Sequence, residues 1–225
     1  PRTIAAITGT NGKTSTVSFL RQIWAGLGKL SSSMGALGIE VAGFDQGEEP
    51  KIEQRFSLTT PDSVDLHRSL QDLAERNINH IAIEASSHGL DQFRLDGLRV
   101  SAAAFTNLSR DHMDYHGSHR DYLKAKVRLF DELLIDGGLA VINTADSYSQ
   151  AFEEVCRSRR HDTVADQSAG RRRVPSHEAQ PIQPLSLRVT GTAWDCAGRR
   201  VGNRRLVLVA AQPSWLVHNP APFHW

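Results

Sequence analysis

Hydrophobic positions in the first 146 residues fall into two alternating patterns. Thr3 to Thr8 is a short apolar run ending in a glycine loop and reads as a buried strand. Thr14 to Leu27 places Val17, Leu20, Ile23, Trp24 and Leu27 at helical spacing, and Gly28 stops the pattern. Asp62 after Pro61 is positioned to cap a helix running to about Arg76, with Val64, Leu66, Leu70 and Leu73 inward. His80 to Ala85 and Val100 to Phe105 read as two more buried strands, His119 to Leu134 as a helix, and Gly138 to Asn143 as a further strand. Short apolar strands alternating with amphipathic helices predict an α/β fold, a mostly parallel sheet with helices on both faces.

The pattern fades after about residue 160. The stretch from His161 to Trp225 holds six of the nine prolines, no lysine, and paired or tripled arginines such as Arg171-Arg172-Arg173. Leu185 to Val189 alternates like a strand, and Leu206 to Ala211 fits a strand or a helix. The organisation expected is therefore a domain over residues 1–160 and a divergent tail over 161–225, the tail being a remnant of the same domain.

Composition narrows the function classes. The chain has 225 residues, 40% hydrophobic and 23% charged, with a net charge of +1, so bulk electrostatics favours neither nucleic acid nor an acidic membrane. The arginines of the tail are scattered rather than gathered on one face, which argues against a nucleic-acid arm. Cys156 and Cys196 make no disulfide framework and fit a reducing compartment. No stretch approaches the roughly 20 apolar residues of a membrane span, and the N-terminal run breaks too early for a signal peptide. A cytoplasmic protein that engages no membrane is expected.

The sharpest chemical signal is Gly9-Thr10-Asn11-Gly12-Lys13-Thr14-Ser15, set between a strand and a helix. Glycines let backbone N–H groups approach phosphate oxygens, and the following helix offers its positive end. Lys13 suits the β/γ-phosphates and the Thr14 hydroxyl suits Mg²⁺. The strict phosphate-loop pattern wants glycine at position 7, where Ile7 stands, so only its second half is matched. Glu84 closes a predicted strand and is followed by Ala85-Ser86-Ser87-His88-Gly89-Leu90. At that end of a parallel sheet ligands bind, and a carboxylate there is a magnesium ligand, a helix cap or a salt-bridge partner. The segment Thr106 to Gly117 holds His112, His116, Asp111 and Asp114, but its spacing fits no common zinc pattern. Lys124 and Lys126 are about 200° apart on a helix, so they cannot share a face, and helical geometry alone reads both as solvated. Arg94 can clamp a carboxylate through its planar guanidinium.

The shortened loop Gly-Thr-Asn-Gly-Lys-Thr resembles the ATP loop of the Mur ligases and of their folylpolyglutamate synthetase relatives. The other segments resemble the central domain of the Mur ligase family in the same order, over roughly residues 3 to 146. That resemblance implies a P-loop-like ATP-binding domain using ATP and Mg²⁺. It implies Glu84, His112 and a carbamylated Lys126 as metal ligands beside Thr14, with Lys13, His112 and Lys126 catalytic and Gly9 to Ser15 around the nucleotide. Leu58-Thr59-Thr60-Pro61-Asp62 and the Ser86-to-Arg94 run match substrate contacts, carried by Thr59, Thr60, Ser86, Gln92 and Arg94, while His116 is structural or near the substrate. They are similar to the branch of the family that adds the third peptide residue, diaminopimelate or lysine, to UDP-MurNAc-L-Ala-D-Glu through an acyl phosphate. The intact family adds an N-terminal uridine-nucleotide domain and a C-terminal domain, neither visible here. The chain then reads as a fragment or the product of a disrupted frame, a monomer that binds ATP weakly without ligating. The competing readings are an ATP-binding module or pseudoenzyme, a folylpolyglutamate-type ligase, and a plain phosphotransferase.

Overall fold

The computed structural model describes residues 1, 3–44, 56–109, 115–166, 186–194 and 200–209, and from 165 onward the backbone alone. Seven strands form one sheet: β1 (Thr3–Thr8), β2 (Ser31–Gly35), β3 (Gly38–Ala42), β4 (His80–Glu84), β5 (Val100–Phe105), β6 (Leu134–Asn143) and β7 (Asp162–Asp166). Their order is β3-β2-β4-β1-β5-β6-β7, and every pairing is parallel except β2 with β3. A separate antiparallel pair joins β8 (Ser186–Trp194) to β9 (Arg200–Val209). The strand expected over Leu185 to Val189 corresponds to β8, and β9 carries Leu206 to Val209.

Five helices connect the main sheet: α1 (Lys13–Gly26), α2 (Ser63–Glu75), α3 (Ser87–Asp91), α4 (His119–Arg128) and α5 (Ser149–Arg159). Alternate residues of the central strands point to opposite faces and feed two cores. On one face Ala5, Ile7 and Ala82 meet Val17, Leu20 and Trp24 of α1. On the other, Ile4, Ala6, Ile81 and Ile83 pack with Leu66, Leu70 and Leu73 of α2, Leu90 of α3, Tyr122 of α4 and Phe152 of α5. Helices thus cover both faces, as the alternating pattern predicts.

Several local expectations fail for physical reasons. Val64 does not face inward: it is 55% exposed, in the first turn beside the Asp62 cap. Leu27, counted on the apolar stripe of α1, lies past the helix end and is exposed. The helix expected from His119 to Leu134 ends at Arg128, gives way to a π-helical turn over Leu129–Leu133, and Leu134 already belongs to β6. β2 was not expected, because Ser31, Ser32 and Ser33 look polar. All three are buried, and Ser31 donates to the Arg21 carbonyl at 2.9 Å while the Ser33 hydroxyl accepts from Arg21 Nε at 3.1 Å.

Chain order explains where a ligand belongs. From β1 the chain leaves to one side through β2, and from β4 it crosses β1 to reach β5. The carboxyl ends of β1, β4 and β5 therefore border a crevice at the point where the winding reverses, the usual ligand position in such sheets.

Candidate active site

Four segments meet at that crevice, and the loop after β1 is at its centre. Gly9 and Gly12 hold φ of 148° and 85°, and a Cβ on Gly9 would lie 1.9 Å from Thr106 Oγ1, so only glycine fits there. The chain after β5 stitches the loop in place. Thr10 N donates to the Asn107 carbonyl at 2.8 Å and Asn11 N to Asn107 Oδ1 at 3.0 Å. In return Thr106 Oγ1 and Asn107 Nδ2 donate to the Asn11 carbonyl at 2.7 and 3.1 Å.

The loop delivers the chain into α1, which differs from its neighbours. Asp62 caps α2, Ser86 caps α3 and Ser118 caps α4 through their side chains, whereas α1, like α5, has neither a side-chain cap nor an acidic residue in its first turn. Its first-turn N–H groups have no intrahelical acceptor, and with the helix dipole they form a seat for an anion. Lys13 Nζ curls over this seat, donating to the Gly9 and Thr10 carbonyls at 2.9 Å each. Ser15, expected near the nucleotide, is exposed in the same turn.

Glu84 stands opposite, at the end of β4. It is 1% exposed, Oε2 accepts from the Thr14 hydroxyl at 3.0 Å, and Oε1 accepts from Ala36 N at 2.9 Å. Two oxygens, a carboxylate and a hydroxyl, thus meet beside the anion seat, a donor set that suits a hard cation such as Mg²⁺. From α4, Lys126 reaches in: its Nζ donates to the Gly9 carbonyl at 2.9 Å and lies 4.5 Å from the centre of the Tyr122 ring. Lys126 is 1% exposed, which corrects the solvated position read from helical spacing, while Lys124 is exposed as expected. The difference is tertiary: one lysine faces the loop and the other the solvent. His112 lies outside the described residues. Among the described residues no three His, Cys, Asp or Glu side chains converge as a metal cluster.

A second group of expected residues hangs from the same strand end. Thr60, fully buried, donates through Oγ1 to the Glu84 carbonyl at 2.8 Å and accepts from Ser86 N at 3.0 Å. Ser86 Oγ lies 2.9 Å from Thr60 Oγ1 and caps α3 by accepting from Gly89 N. Arg94 donates from Nη1 to the Thr60 carbonyl at 2.8 Å, and its Nε and Nη2 donate to Gln92 Oε1. Gln92 Nε2 donates to the Tyr115 hydroxyl, which donates to Asp91 Oδ2, both at 3.0 Å. Thr59 is half-buried beside Thr60. Arg94, Gln92 and Thr60 are therefore one hydrogen-bonded unit.

Sequence reasoning missed Asn107, Ala36 and Tyr122 as parts of the site. The Tyr122 hydroxyl lies 3.0 Å from Thr10 Oγ1, and a tyrosine rather than phenylalanine on the apolar stripe of α4 was the available signal. Ala36 acts through its backbone and leaves no signal. His116 is buried, with its ring 5.2 Å from that of Tyr122 and 5.6 Å from that of His88.

Comparison with known proteins bears on the family and the fold. A family model described as the Mur ligase middle domain matches residues 7–178. The chain is 52% identical over 159 residues to the UDP-N-acetylmuramoyl-L-alanyl-D-glutamate–2,6-diaminopimelate ligase of Bradyrhizobium diazoefficiens, covering 71% of this chain and 31% of that one. It is 51% identical over 154 residues to the same-named ligase of Brucella melitensis, covering 68% and 30%. It spans less than a third of the length of either relative. A solved structure of a ligase of that name superposes with a TM-score of 0.62 at 32% identity, over 73% of this chain and 32% of that one. The folylpolyglutamate synthase of Mycobacterium tuberculosis complexed with ADP shares the fold, with a TM-score of 0.53 at 14% identity, over 74% and 42%.

Proposed function

Since the chain belongs to the Mur ligase family through its middle domain, we propose that it forms the ATP site and part of the acceptor site of the ligase that adds diaminopimelate to UDP-N-acetylmuramoyl-L-alanyl-D-glutamate. The observation that carries this reading is the buried Glu84. Its carboxylate faces the phosphate loop through Thr14, and its carbonyl holds Thr60, which in turn holds Arg94. The two substrates are thereby brought to opposite ends of one strand terminus.

The chemistry follows from these positions. The loop N–H groups and Lys13 bind the phosphates of ATP, Lys13 leaving the Gly9 and Thr10 carbonyls for the phosphate oxygens. Magnesium, held by Thr14 and Glu84, supplies charge neutralisation of the phosphates. Arg94 gives up Gln92 Oε1 for a carboxylate of the acceptor and presents the D-glutamyl carboxylate to the γ-phosphate. That carboxylate oxygen bonds to phosphorus, the bond to ADP breaks, and an acyl phosphate forms. The amine of diaminopimelate then attacks the acyl carbon and phosphate leaves. Positioning and charge stabilisation supply most of the rate.

Lys126, His112 and the segment 161–225 belong to the same reading. A carbamate on Lys126 would turn a buried cation into an oxygen ligand beside the phosphate loop, to act with Glu84 and His112. A gain in intact mass of one CO₂, lost in Lys126→Met, is the measurement that decides it. The segment 161–225 is the divergent end of this domain. The nucleotide-linked acceptor and the use of ATP support a cytoplasmic protein.

A second reading is an ATP-binding module that does not ligate. The matched segment covers less than a third of the length of either relative, so the segment by itself carries only part of what the whole ligase holds. One titration addresses the shared premise. Calorimetry of ATP with Mg²⁺ into the chain should give saturable binding, weakened at least roughly 100-fold by Lys13→Ala through loss of charge-assisted contacts. Equal binding by the variant would overturn the site. Robust tripeptide formation by the chain alone would remove the second reading.

A further inference from the structure

Arg128 lies two residues beyond Lys126 on α4, and its side chain runs to the turn that carries Gln92 and Arg94. Its Nη1 donates to the Leu90 carbonyl at 2.9 Å, and Nη2 donates to both carboxylate oxygens of Asp96 at 2.7 Å each. Nε lies 2.6 Å from Glu132 Oε2, one helical turn on, and the guanidinium carbon lies 4.2 Å from the centre of the Phe93 ring. The Arg128 side chain is only 11% exposed. One guanidinium therefore grips the start, the middle and the end of the turn.

The turn has reason to need a grip. Phe93 stands at φ 58°, a left-handed conformation that a bulky residue seldom adopts, and its side chain is exposed. Two of the internal bonds of the turn are long, Phe93 N to the Leu90 carbonyl at 3.3 Å and Asp96 N to the Phe93 carbonyl at 3.2 Å, while Arg94 N donates to the Gly89 carbonyl at 2.9 Å. The ring seated on the guanidinium and the paired Asp96 hold the stretch from Phe93 to Asp96, where the backbone bonds are long. Glu132, in the π-helical turn that follows α4, pairs its charge with the guanidinium although Nε makes no well-aligned hydrogen bond to it, and this keeps the guanidinium beside the end of α4.

The same helix carries Tyr122 and Lys126, which meet Thr10 and Gly9 of the phosphate loop. Tyr122 and Arg128 are separated by about 9 Å of helix rise. We propose that Arg128 is a positioning residue that fixes the turn on α4, and so sets the distance from Arg94 and Gln92 to the phosphate loop. The proposal rests on the reading that Arg94 and Gln92 receive the acceptor. Lysine cannot replace it fully, because an ammonium offers neither the planar fork for Asp96 nor the stacking face for Phe93.

The test compares the wild-type chain with Arg128→Met, Arg128→Lys, Arg94→Ala and the Arg128→Met/Arg94→Ala pair. In Arg128→Met, amide exchange over Leu90 to Asp96 should rise at least roughly tenfold while β4 is unchanged. MgATP affinity should stay within about twofold. Affinity for UDP-N-acetylmuramoyl-L-alanyl-D-glutamate, titrated in the presence of MgATP, should fall roughly tenfold. Arg128→Lys should recover part of it, and the double variant should bind no worse than Arg94→Ala, because Arg128 acts through Arg94. Unchanged acceptor affinity in Arg128→Met, additive losses in the double variant, or β4 exchange and MgATP binding failing together would each overturn the proposal. Wild-type acceptor affinity in Arg94→Ala would instead sink the acceptor reading, while the exchange data still decide whether Arg128 holds the turn.

Discussion

The two arms of the site are built from different materials. The phosphate arm consists of backbone, buried groups and close contacts: Gly9 against Thr106, Glu84 and Lys126 at 1% exposure, and loop amides paired with Asn107. The acceptor arm is carried by side chains near solvent, with Gln92 exposed and Arg94 half-buried, held by Thr60 at one end and Arg128 at the other. The first arm is built where β1, β4 and β5 end, with Lys126 reaching in from α4 and Ala36 from the turn after β2. The second exists only while a relay of side-chain bonds holds. A rigid seat would suit phosphates, whose shape is constant, and an adjustable clamp would suit the proposed acceptor, which would displace Gln92 from Arg94.

That contrast is most exposed to test at Gly35. A Cβ there would lie 2.1 Å from Glu84 Oε1 and 2.5 Å from Cγ and Cδ. Glu84 has no room to retreat, since Ala36 and Thr14 hold both its oxygens. Gly35→Ala should therefore cost about 1–3 kcal/mol through overpacking and weaken MgATP binding more than tenfold, read by thermal melts and calorimetry. Gly26→Ala is the control, because a Cβ there meets nothing within 4 Å and it ends α1. It should be neutral or mildly stabilising. Intact MgATP binding in Gly35→Ala would mean that Glu84 is not part of a rigid seat.

Thr60 is the joint between the arms. Thr60→Val keeps the shape but leaves Ser86 N without its acceptor and the Glu84 carbonyl without its donor, a loss of about 1–3 kcal/mol. Acceptor binding should weaken while MgATP binding holds, because the Glu84 carboxylate keeps its own partners. Thr60→Ser should restore most of the loss. Equal weakening of both ligands would show the arms to be one unit.

The difference between the arms also decides how much could be read from the sequence. The phosphate loop, β1, α1 and the strand ending in Glu84 were legible because a glycine pattern and apolar runs act locally. Asp62 was legible as a cap for the same reason. β2 was not, since buried serines are satisfied by Arg21, twelve residues from Ser33 in the chain. Nor was the burial of Lys126, which depends on the Gly9 carbonyl 117 residues away. Arg128 gave no signal at all: an arginine among charged helix positions looks solvated until Asp96 and Phe93 are placed beside it. Periodicity reports which face is apolar, and it is silent on which polar group finds a distant partner.

The smallest effect lies at Asp62, on the outer edge of the acceptor arm. The Asp65 amide, with that of Val64 and the nearby Arg94 charge, holds this carboxyl below its ordinary value of 3.8. A carboxyl with a lower folded than unfolded value stabilises the fold only when ionised. Its contribution is complete above the unfolded value and is lost as the pH falls from 3.8 through the folded value. Asparagine caps a helix about as well as aspartate, so Asp62→Asn isolates the charge. The melting temperature of Asp62→Asn should fall slightly below wild type at pH 7, and the gap should close as the pH drops below 3.8. Because the group is exposed, added salt should shrink the gap at pH 7. A gap that persists at low pH and high salt would mean that the cap acts by shape alone, and that charge does not tune this edge of the acceptor arm.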